Sequence, residues 1–430
     1  MSISKQAEEL NSIINKCSAS VFEMLSEKGK AIYFPKEGIV AQSAQAKGKK
    51  LNATIGIAVE DDGSPMRLSS ISGKVLLDPK EVFVYASSQG KQELREEWKK
   101  QILQKNPSIK NSISLPLVTN ALTHGLNVCG YMFANEKEKI IVSDLFWGNY
   151  KLIFSNAYGA ELDAFSTFKN GLFDVDSMKQ KLSGGGKKIL LLNFPNNPCG
   201  YTPTKKEAQQ IIDAIKECAE GGSKIVVLLD DAYFGLFFEE ETQKESLFAE
   251  LSSLHENVLA VKIDGATKED YVWGLRIGFI TYGFKGAVQE AYKALEDKTA
   301  GAIRGSISNA PHLSQSLVLN AFRANTYKKE KQEKFEILKQ RYLEVKRVLK
   351  NAKYKKVFAV LPFNSGYFMC VEPKRAVAEK VRLRLLEKYD TGVISIGKLL
   401  RISFSSIPAK DIALVFENIY SACMECETND

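Results

Sequence analysis

The stretch Val258-Leu-Ala-Val-Lys262-Ile263-Asp264-Gly265-Ala266-Thr267-Lys268, running on to Trp273-Gly274-Leu275-Arg276-Ile277-Gly278, sets the reading of the chain. Val258 to Ile263 is an apolar run of the length and kind of a buried strand. Small residues then turn the chain, and Lys268 sits at the turn. Eight residues later Arg276 enters a second apolar run, Arg276 to Tyr282. A lysine in a loop is by itself a solvated charge, one of 59 Lys and Arg residues. What lies around it decides whether it does more.

Upstream, the pattern repeats. A buried strand at Lys188 to Leu192 runs into Asn193-Phe-Pro-Asn-Asn197-Pro198-Cys199-Gly200, and a strand at Lys224 to Leu229 runs into Asp230-Asp231-Ala232-Tyr233. Between them lies a helix with a capping box, Thr204 and Glu207, and an apolar face of Ala208, Ile211, Ile212 and Ile215. Further strands are expected at Lys139 to Ser143 and near Ala160 to Leu162, and helices over 6–29, Glu93 to Leu103 and Thr119 to Ala134. Continuously apolar strands alternating with helices predict an α/β domain with a mostly parallel sheet. Such sheets bind ligands in the crevice beyond the carboxyl ends of their strands. Three polar stretches, 193–200, 230–233 and 264–268, fall at those ends. The last hundred residues pair an amphipathic helix over Lys328 to Lys350 with short strands near Lys356–Leu361, Tyr367–Val371 and Leu400–Phe404, which reads as a smaller α+β domain.

Composition narrows the function. The chain has 430 residues, 44% of them hydrophobic, and a formal charge of +8. Lys and Glu are interleaved and not gathered with aromatics, so no nucleic-acid partner is expected. No run of 18 apolar residues suggests a membrane span. The N-terminus has early acids and no long apolar segment, so no secretory signal is expected. Seven scattered cysteines suit a reducing, cytoplasmic setting. Cys423 and Cys426 form a CxxC without a second pair, which reads as a helix end and not as a zinc site. The one glycine cluster, Gly184-Gly-Gly186, lacks the GxGxxG dinucleotide pattern.

Lys, Asp, Tyr, Asn and Arg at strand ends suit a cofactor with an aldehyde, a ring nitrogen and a phosphate. From about Asn52 to Arg401 the chain resembles the fold-type-I pyridoxal-phosphate aminotransferases of classes I and II, and the aspartate aminotransferase subgroup in detail. The resemblance implies that Lys268 is the Schiff-base lysine, with Thr267 before it and Arg276 on the phosphate. Asp230 would pair with the ring nitrogen. Tyr233 and Asn197 would reach the phenolate oxygen, with Asn197 also beside the substrate. Ala121, Leu122 and Thr123 would open the phosphate cup at a helix N-terminus, and Trp147, in Phe146-Trp-Gly-Asn-Tyr150, would stack on the ring. Arg401 would clamp the substrate α-carboxylate, and Ile55-Gly56 would line the substrate pocket. Tyr85 would cross a dimer interface to the partner's phosphate, and Arg304 would cross to a distal carboxylate. Gly265 stands where many members carry a phosphate-binding serine. His124 is open between packing and a role.

The resemblance further implies a large PLP-binding domain, residues 76–322, with a seven-stranded mostly parallel sheet between helices. The smaller domain would be built from both termini, 1–75 and 323–430. The expected activity is ping-pong transfer of an amino group from an L-amino acid, aspartate- or glutamate-like or aromatic, to a 2-oxo acid. A homodimer with shared sites is expected. The alternatives are a PLP-dependent lyase or decarboxylase on the same fold, and a non-enzymatic regulator. For the regulator, the fifty or so residues before Asn52 carry no helix-turn-helix pattern.

Overall fold

The computed structural model describes residues 3–17, 22, 25, 30–32, 38–73 and 77–427. Its strands are, in chain order, β1 (Leu51–Asn52), β2 (Leu117–Asn120), β3 (Lys139–Ser143), β4 (Glu161–Phe165), β5 (Phe168–Lys169), β6 (Leu172–Phe173), β7 (Gly186–Asn193), β8 (Ser223–Asp230), β9 (Val258–Asp264), β10 (Ile277–Phe284), β11 (Phe358–Val360), β12 (Phe368–Pro373), β13 (Thr391–Gly392), β14 (Ile394–Ile396) and β15 (Leu399–Ser403). The main sheet has seven strands in the order β2-β10-β9-β8-β7-β3-β4. Every pairing in it is parallel except those of β10, which runs against both β2 and β9. The mixed α/β architecture with a mostly parallel sheet is as expected.

The central strands β7, β8 and β9 are covered on both faces, which is why their sequences are apolar without alternation. Ile189 to Leu192, Val227 to Leu229 and Ala260, Val261 and Ile263 are all buried. Each Ile, Leu or Val among them contributes about 1.5–3 kcal/mol through burial. Register sets the strand ends side by side: Asn193 pairs with Asp230, and Asp230 with Ile263. The three polar stretches therefore meet at one edge.

The helices include α1 (Lys5–Cys17), α2 (Gln92–Lys105), α3 (Ala121–Phe133) and α4 (Lys205–Glu220). Helix α4 starts on the expected capping box: Thr204 Oγ1 accepts from the Glu207 amide at 3.3 Å, and a Glu207 carboxylate oxygen accepts from the Thr204 amide at 2.8 Å. Its face of Ala208, Ile211, Ile212 and Ile215 is buried. Of the helix expected over 6–29, α1 is described to Cys17, and most of the remainder lies outside the described residues. The helix expected from Thr119 begins instead at Ala121. Thr119 and Asn120 belong to β2, opposite Gly278 and Ile277 of β10. Gly278 permits that approach, since a Cβ there would lie 2.6 Å from the Ala121 carbonyl carbon.

A second, four-stranded antiparallel sheet, β11-β12-β15-β14, carries Arg401 on its β15 strand, paired with Cys370 of β12 and Ile394 of β14. The segment expected as a strand from Lys356 is helical up to Val357, and the strand begins at Phe358. The N-terminal part joins this side through β1, which pairs with β13, Leu51 opposite Thr391 and Asn52 opposite Gly392. A long helix, α5 (Tyr327–Val348), packs beside the C-terminal helix Ala409–Glu425 and buries Leu338, Tyr342 and Val345, three residues of its expected apolar face. Among the described residues no helix is long and apolar enough to cross a membrane.

Candidate active site

The carboxyl ends of β7, β8 and β9 open into a cavity of about 300 Å³. This is the low end of the usual small-molecule range. Of the residues expected to form the site, Gly56, Ala121, Leu122, Thr123, Trp147, Asn197, Asp230, Tyr233, Thr267, Lys268, Arg276 and Arg401 line this one cavity. Two do not. Tyr85 lies outside it with 90% of its surface exposed, and Arg304 is exposed in the last turn of the helix Gln289–Ile307.

Lys268 sits on the short helix Ala266–Glu269, one turn beyond β9, with its ammonium 4.6 Å from the centre of the Tyr233 ring. Burial pulls its pKa down to about 8, against the attraction of Asp230 and with the help of the Arg276 charge. A lysine so placed is part neutral near physiological pH and can act as a nucleophile and a base.

Asp230 ends β8 and is 3% exposed. Burial raises its pKa. The Tyr150 hydroxyl, the Lys268 charge and the Ala232 amide oppose that shift and favour the carboxylate. Tyr150 donates to Oδ2 at 2.6 Å, and the Ala232 amide donates to Oδ1 at 3.2 Å. Tyr150 is itself fully buried. Sequence reasoning gave it no role, although it holds the aromatic position of the Trp-Gly-Asn-Tyr stretch. Trp147 meets the Tyr150 ring edge-on, with centroids 5.7 Å apart.

Asn193 was also missed, and it ties two loops together. Its amide nitrogen donates to the Asp230 carbonyl at 2.7 Å, and its Oδ1 accepts from the Asn197 amide at 2.8 Å. Asn197 thereby sits beside Tyr233, where it works against the rise that burial gives the Tyr233 pKa. The turn after it is tight because Gly200 has φ +70° and a Cβ there would lie 1.9 Å from the Phe368 carbonyl oxygen.

At one end, Arg401 is 2% exposed, and burial lowers its pKa. It donates to Asn197 Oδ1 at 3.1 Å and to the Thr54 carbonyl at 3.2 Å, and lies 4.3 Å over the Phe368 ring. Its Nε is buried without a partner among the described residues. A buried guanidinium N–H left unpaired is costly unless a ligand accepts it, and a carboxylate is the matching acceptor.

At the other end, the Ala121 amide donates to the Arg276 carbonyl at 2.9 Å. Both residues have left-handed backbones, φ 61° and 54°. Such strain gathers where a structure holds a ligand. It places Arg276 beside the first turn of α3, whose free amides favour an anion. The Thr267 hydroxyl donates to the Ile277 carbonyl at 2.8 Å, so its proton is committed to the fold. Gly265 has no room for the serine seen in many family members: a Cβ would lie 2.5 Å from the Ile277 oxygen and 2.7 Å from the Gly278 Cα. His124 accepts from the Asn120 amide at 3.2 Å and meets Ser306 Oγ at 2.9 Å, a helix-end role outside the cavity lining.

These residues fit pyridoxal 5′-phosphate. They supply an amine for the aldehyde, a held carboxylate for the ring nitrogen, and an arginine beside a helix N-terminus for the phosphate.

Comparison with known proteins agrees. Residues 63–419 match the family described as Aminotransferase class I and II, whose members use pyridoxal phosphate. Tyrosine aminotransferase of Bos taurus is 25% identical over 167 residues, 38% of this chain and 34% of that protein. The mitochondrial aspartate aminotransferase of Saccharomyces cerevisiae is 32% identical over 108 residues, 23% of each chain. The alignments thus span about a third or less of these curated relatives. An aminotransferase structure from Anaerococcus prevotii superposes with a TM-score of 0.81 at 22% identity, covering 93% of this chain and 98% of its own. Aspartate aminotransferase from Thermus thermophilus with maleate gives 0.71 at 18% identity, covering 93% and 99%. The chain belongs to the class I and II aminotransferase family.

Proposed function

We propose that the protein is a PLP-dependent aminotransferase that moves the amino group of an L-amino acid to a 2-oxo acid in a ping-pong cycle. The observation that carries this reading is one cavity with three cations, Lys268, Arg276 and Arg401, around a single buried carboxylate, Asp230. When bound, the cofactor supplies an electron sink for the bonds at the substrate's Cα. The chain supplies the rest. Arg401 takes the α-carboxylate in a two-pronged grip and so fixes Cα over the cavity floor. Lys268 Nζ, part neutral near pH 8, removes the Cα proton, holds it and returns it. Asp230, to which Tyr150 and Ala232 donate, would pair as a carboxylate with the ring nitrogen. Asn197 and Tyr233 would present donors to the cofactor's phenolate oxygen, and Arg276 and the first turn of α3 would hold its phosphate. Trp147 and Phe368 narrow the space open to water.

On substrate class, the cavity cations of this chain all have tasks already. A distal carboxylate would need Arg304 of the partner subunit, and Tyr85 of the partner subunit would join the phosphate. The exposure of both residues supports a homodimer with shared sites. Without that arginine, the Ile39, Ile55 and Phe368 walls favour apolar or aromatic donors. The seven unpaired cysteines support a cytoplasmic setting. The β1–β13 pairing supports a smaller domain drawn from residues 1–75 and 323–430 around the large domain 76–322.

The test is a half-reaction panel. The loaded protein is mixed with aspartate, glutamate, tyrosine or alanine, and loss of the lysine-bound cofactor absorbance is followed. Conversion with stoichiometric 2-oxo acid is expected, and aspartate and glutamate should lead if Arg304 acts. Release of ammonia without an acceptor would reassign the site to elimination.

A further inference from the structure

Next to Lys268 in the chain, two buried carboxylates that amino transfer does not use are held by two half-buried lysines. Glu269 and Asp270 follow Lys268 directly in the chain and are 5% and 0% exposed. From α5, Lys331 donates to Glu269 Oε1 at 2.7 Å and to Asp270 Oδ1 at 3.0 Å. Lys105 of α2 pairs with the same Glu269 oxygen at 2.7 Å, and the Tyr327 hydroxyl donates to Asp270 Oδ1 at 2.5 Å. The next residue, Tyr271, has φ 58°, a left-handed backbone on a bulky side chain. Such a conformation persists only where its surroundings fix it. The ion cluster beside it does so, and it fixes the segment that carries Lys268.

Ten residues along the same helix, about 15 Å at 1.5 Å per residue, Arg341 is also fully buried. It donates to the Ser405 carbonyl at 2.5 Å, to the Val59 carbonyl at 2.7 Å and to Asp61 at 3.0 Å. Ser405 lies four residues beyond Arg401, and its hydroxyl meets that of Ser403 at 3.0 Å. Val59 lies three residues beyond Gly56, and its amide donates to the Ser405 carbonyl at 3.2 Å, so both acceptors belong to the same wall. One helix thus grips the Lys268 floor at one point and the Arg401 wall at another. Buried ion pairs are weak devices for stability alone, since apolar residues of similar size often serve as well. A fixed distance between two groups is something apolar packing specifies less sharply.

We propose that α5 is a rigid spacer that sets the Lys268 amine against the Arg401 guanidinium, with Lys331 and Arg341 as its positioning residues. The inference rests on the reading of those two as amine site and carboxylate clamp. An amino acid presents its amino group and carboxylate one carbon apart, so both cations must be in place together.

The test uses full-length Lys331→Met, Lys331→Arg and Arg341→Met proteins. One readout is the ionisation midpoint of Lys268 in the apoprotein, from pH-dependent acetylation followed by mass spectrometry. The groups facing Lys268 are Asp230, Arg276 and Tyr233; those facing Lys331 are Glu269, Asp270, Tyr327 and Lys105 across Glu269. Lys331→Met should move the midpoint up from about 8 as the loosened floor admits water, and Lys331→Arg should restore it. The second readout is binding of propionate, which has no amine, to the loaded protein. Arg341→Met should weaken it about tenfold and leave the Lys268 midpoint in place. In the alanine half-reaction, the double variant should lose less than the product of the two single losses, because one freed end already unsets the spacing. Glu269→Gln repeats the first arm if Lys331→Met does not fold, with the same upward shift expected. An unmoved Lys268 midpoint with multiplicative losses would overturn the spacer. A Lys268→Ala protein with full turnover would instead overturn the underlying reading of the site.

Discussion

Replacing Tyr150 with phenylalanine removes one oxygen and keeps the ring, which packs against Trp147 and Phe154. The lost atom donates to Asp230 Oδ2 at 2.6 Å in a fully buried setting. A hydrogen bond to a charged group is worth about 1.5–3 kcal/mol, and one to a neutral group about 1 kcal/mol. The sign with pH comes from burial, which holds the Asp230 pKa in the folded apoprotein above its unfolded value. For such a group the favourable contribution is complete below the unfolded pKa and is lost as pH rises through the folded one. Tyr150→Phe drives the folded value higher still. The variant should therefore trail the parent by about 1 kcal/mol in acid and by about 1.5–3 kcal/mol at higher pH. Urea melts of both apoproteins at a series of pH values measure the gap. The loaded variant should also bind the cofactor more weakly, since the ring nitrogen loses part of its counter-charge. A gap that stays constant with pH would mean that the Tyr150 hydroxyl does not favour the charged form of Asp230, and would refute the reasoning.

Other outcomes are expected from the same geometry. Gly265→Ser should not improve phosphate binding but lower the melting temperature, at a cost of about 1–3 kcal/mol, because the new Cβ meets the Ile277 oxygen and the Gly278 Cα. Lys262→Met leaves Asp231 and Asp264 without their shared buried cation and should cost about 3–5 kcal/mol in denaturant melts; Lys329→Met, on the exposed face of α5, should cost nothing measurable. Capture of pyridoxal phosphate by the apoprotein should speed up as pH rises through about 8 in a stopped-flow absorbance trace, since only the neutral Lys268 amine attacks an aldehyde. Arg401→Lys loses the two-pronged grip and should raise KM for the amino acid at least about tenfold, with a smaller change in kcat.

Much of this was legible in the sequence because strand ends are written locally. Apolar runs that stop at Asn193, Asp230 and Asp264 declare both the sheet and its binding edge, and short motifs beyond them place Asn197, Tyr233 and Lys268. The misreadings have long-range causes. Thr119 and Asn120 look like the start of a helix, and only the antiparallel approach of β10, far along the chain at Ile277 and Gly278, draws them into a strand. Gly265 reads as a missing hydroxyl, whereas the fold leaves no space there for any side chain. The Tyr150–Asp230 bond joins residues 80 apart, and Arg341 reaches carbonyls at positions 59 and 405. On a helical wheel Lys331 and Arg341 look like two more solvated charges among the many of α5.

The central claim is that Lys268 carries the cofactor. Borohydride reduction of the loaded protein fixes the cofactor to whichever lysine holds it, and peptide mapping then locates it. The account predicts a single modified peptide with the label on Lys268. A label on another lysine, or none at all, would contradict it.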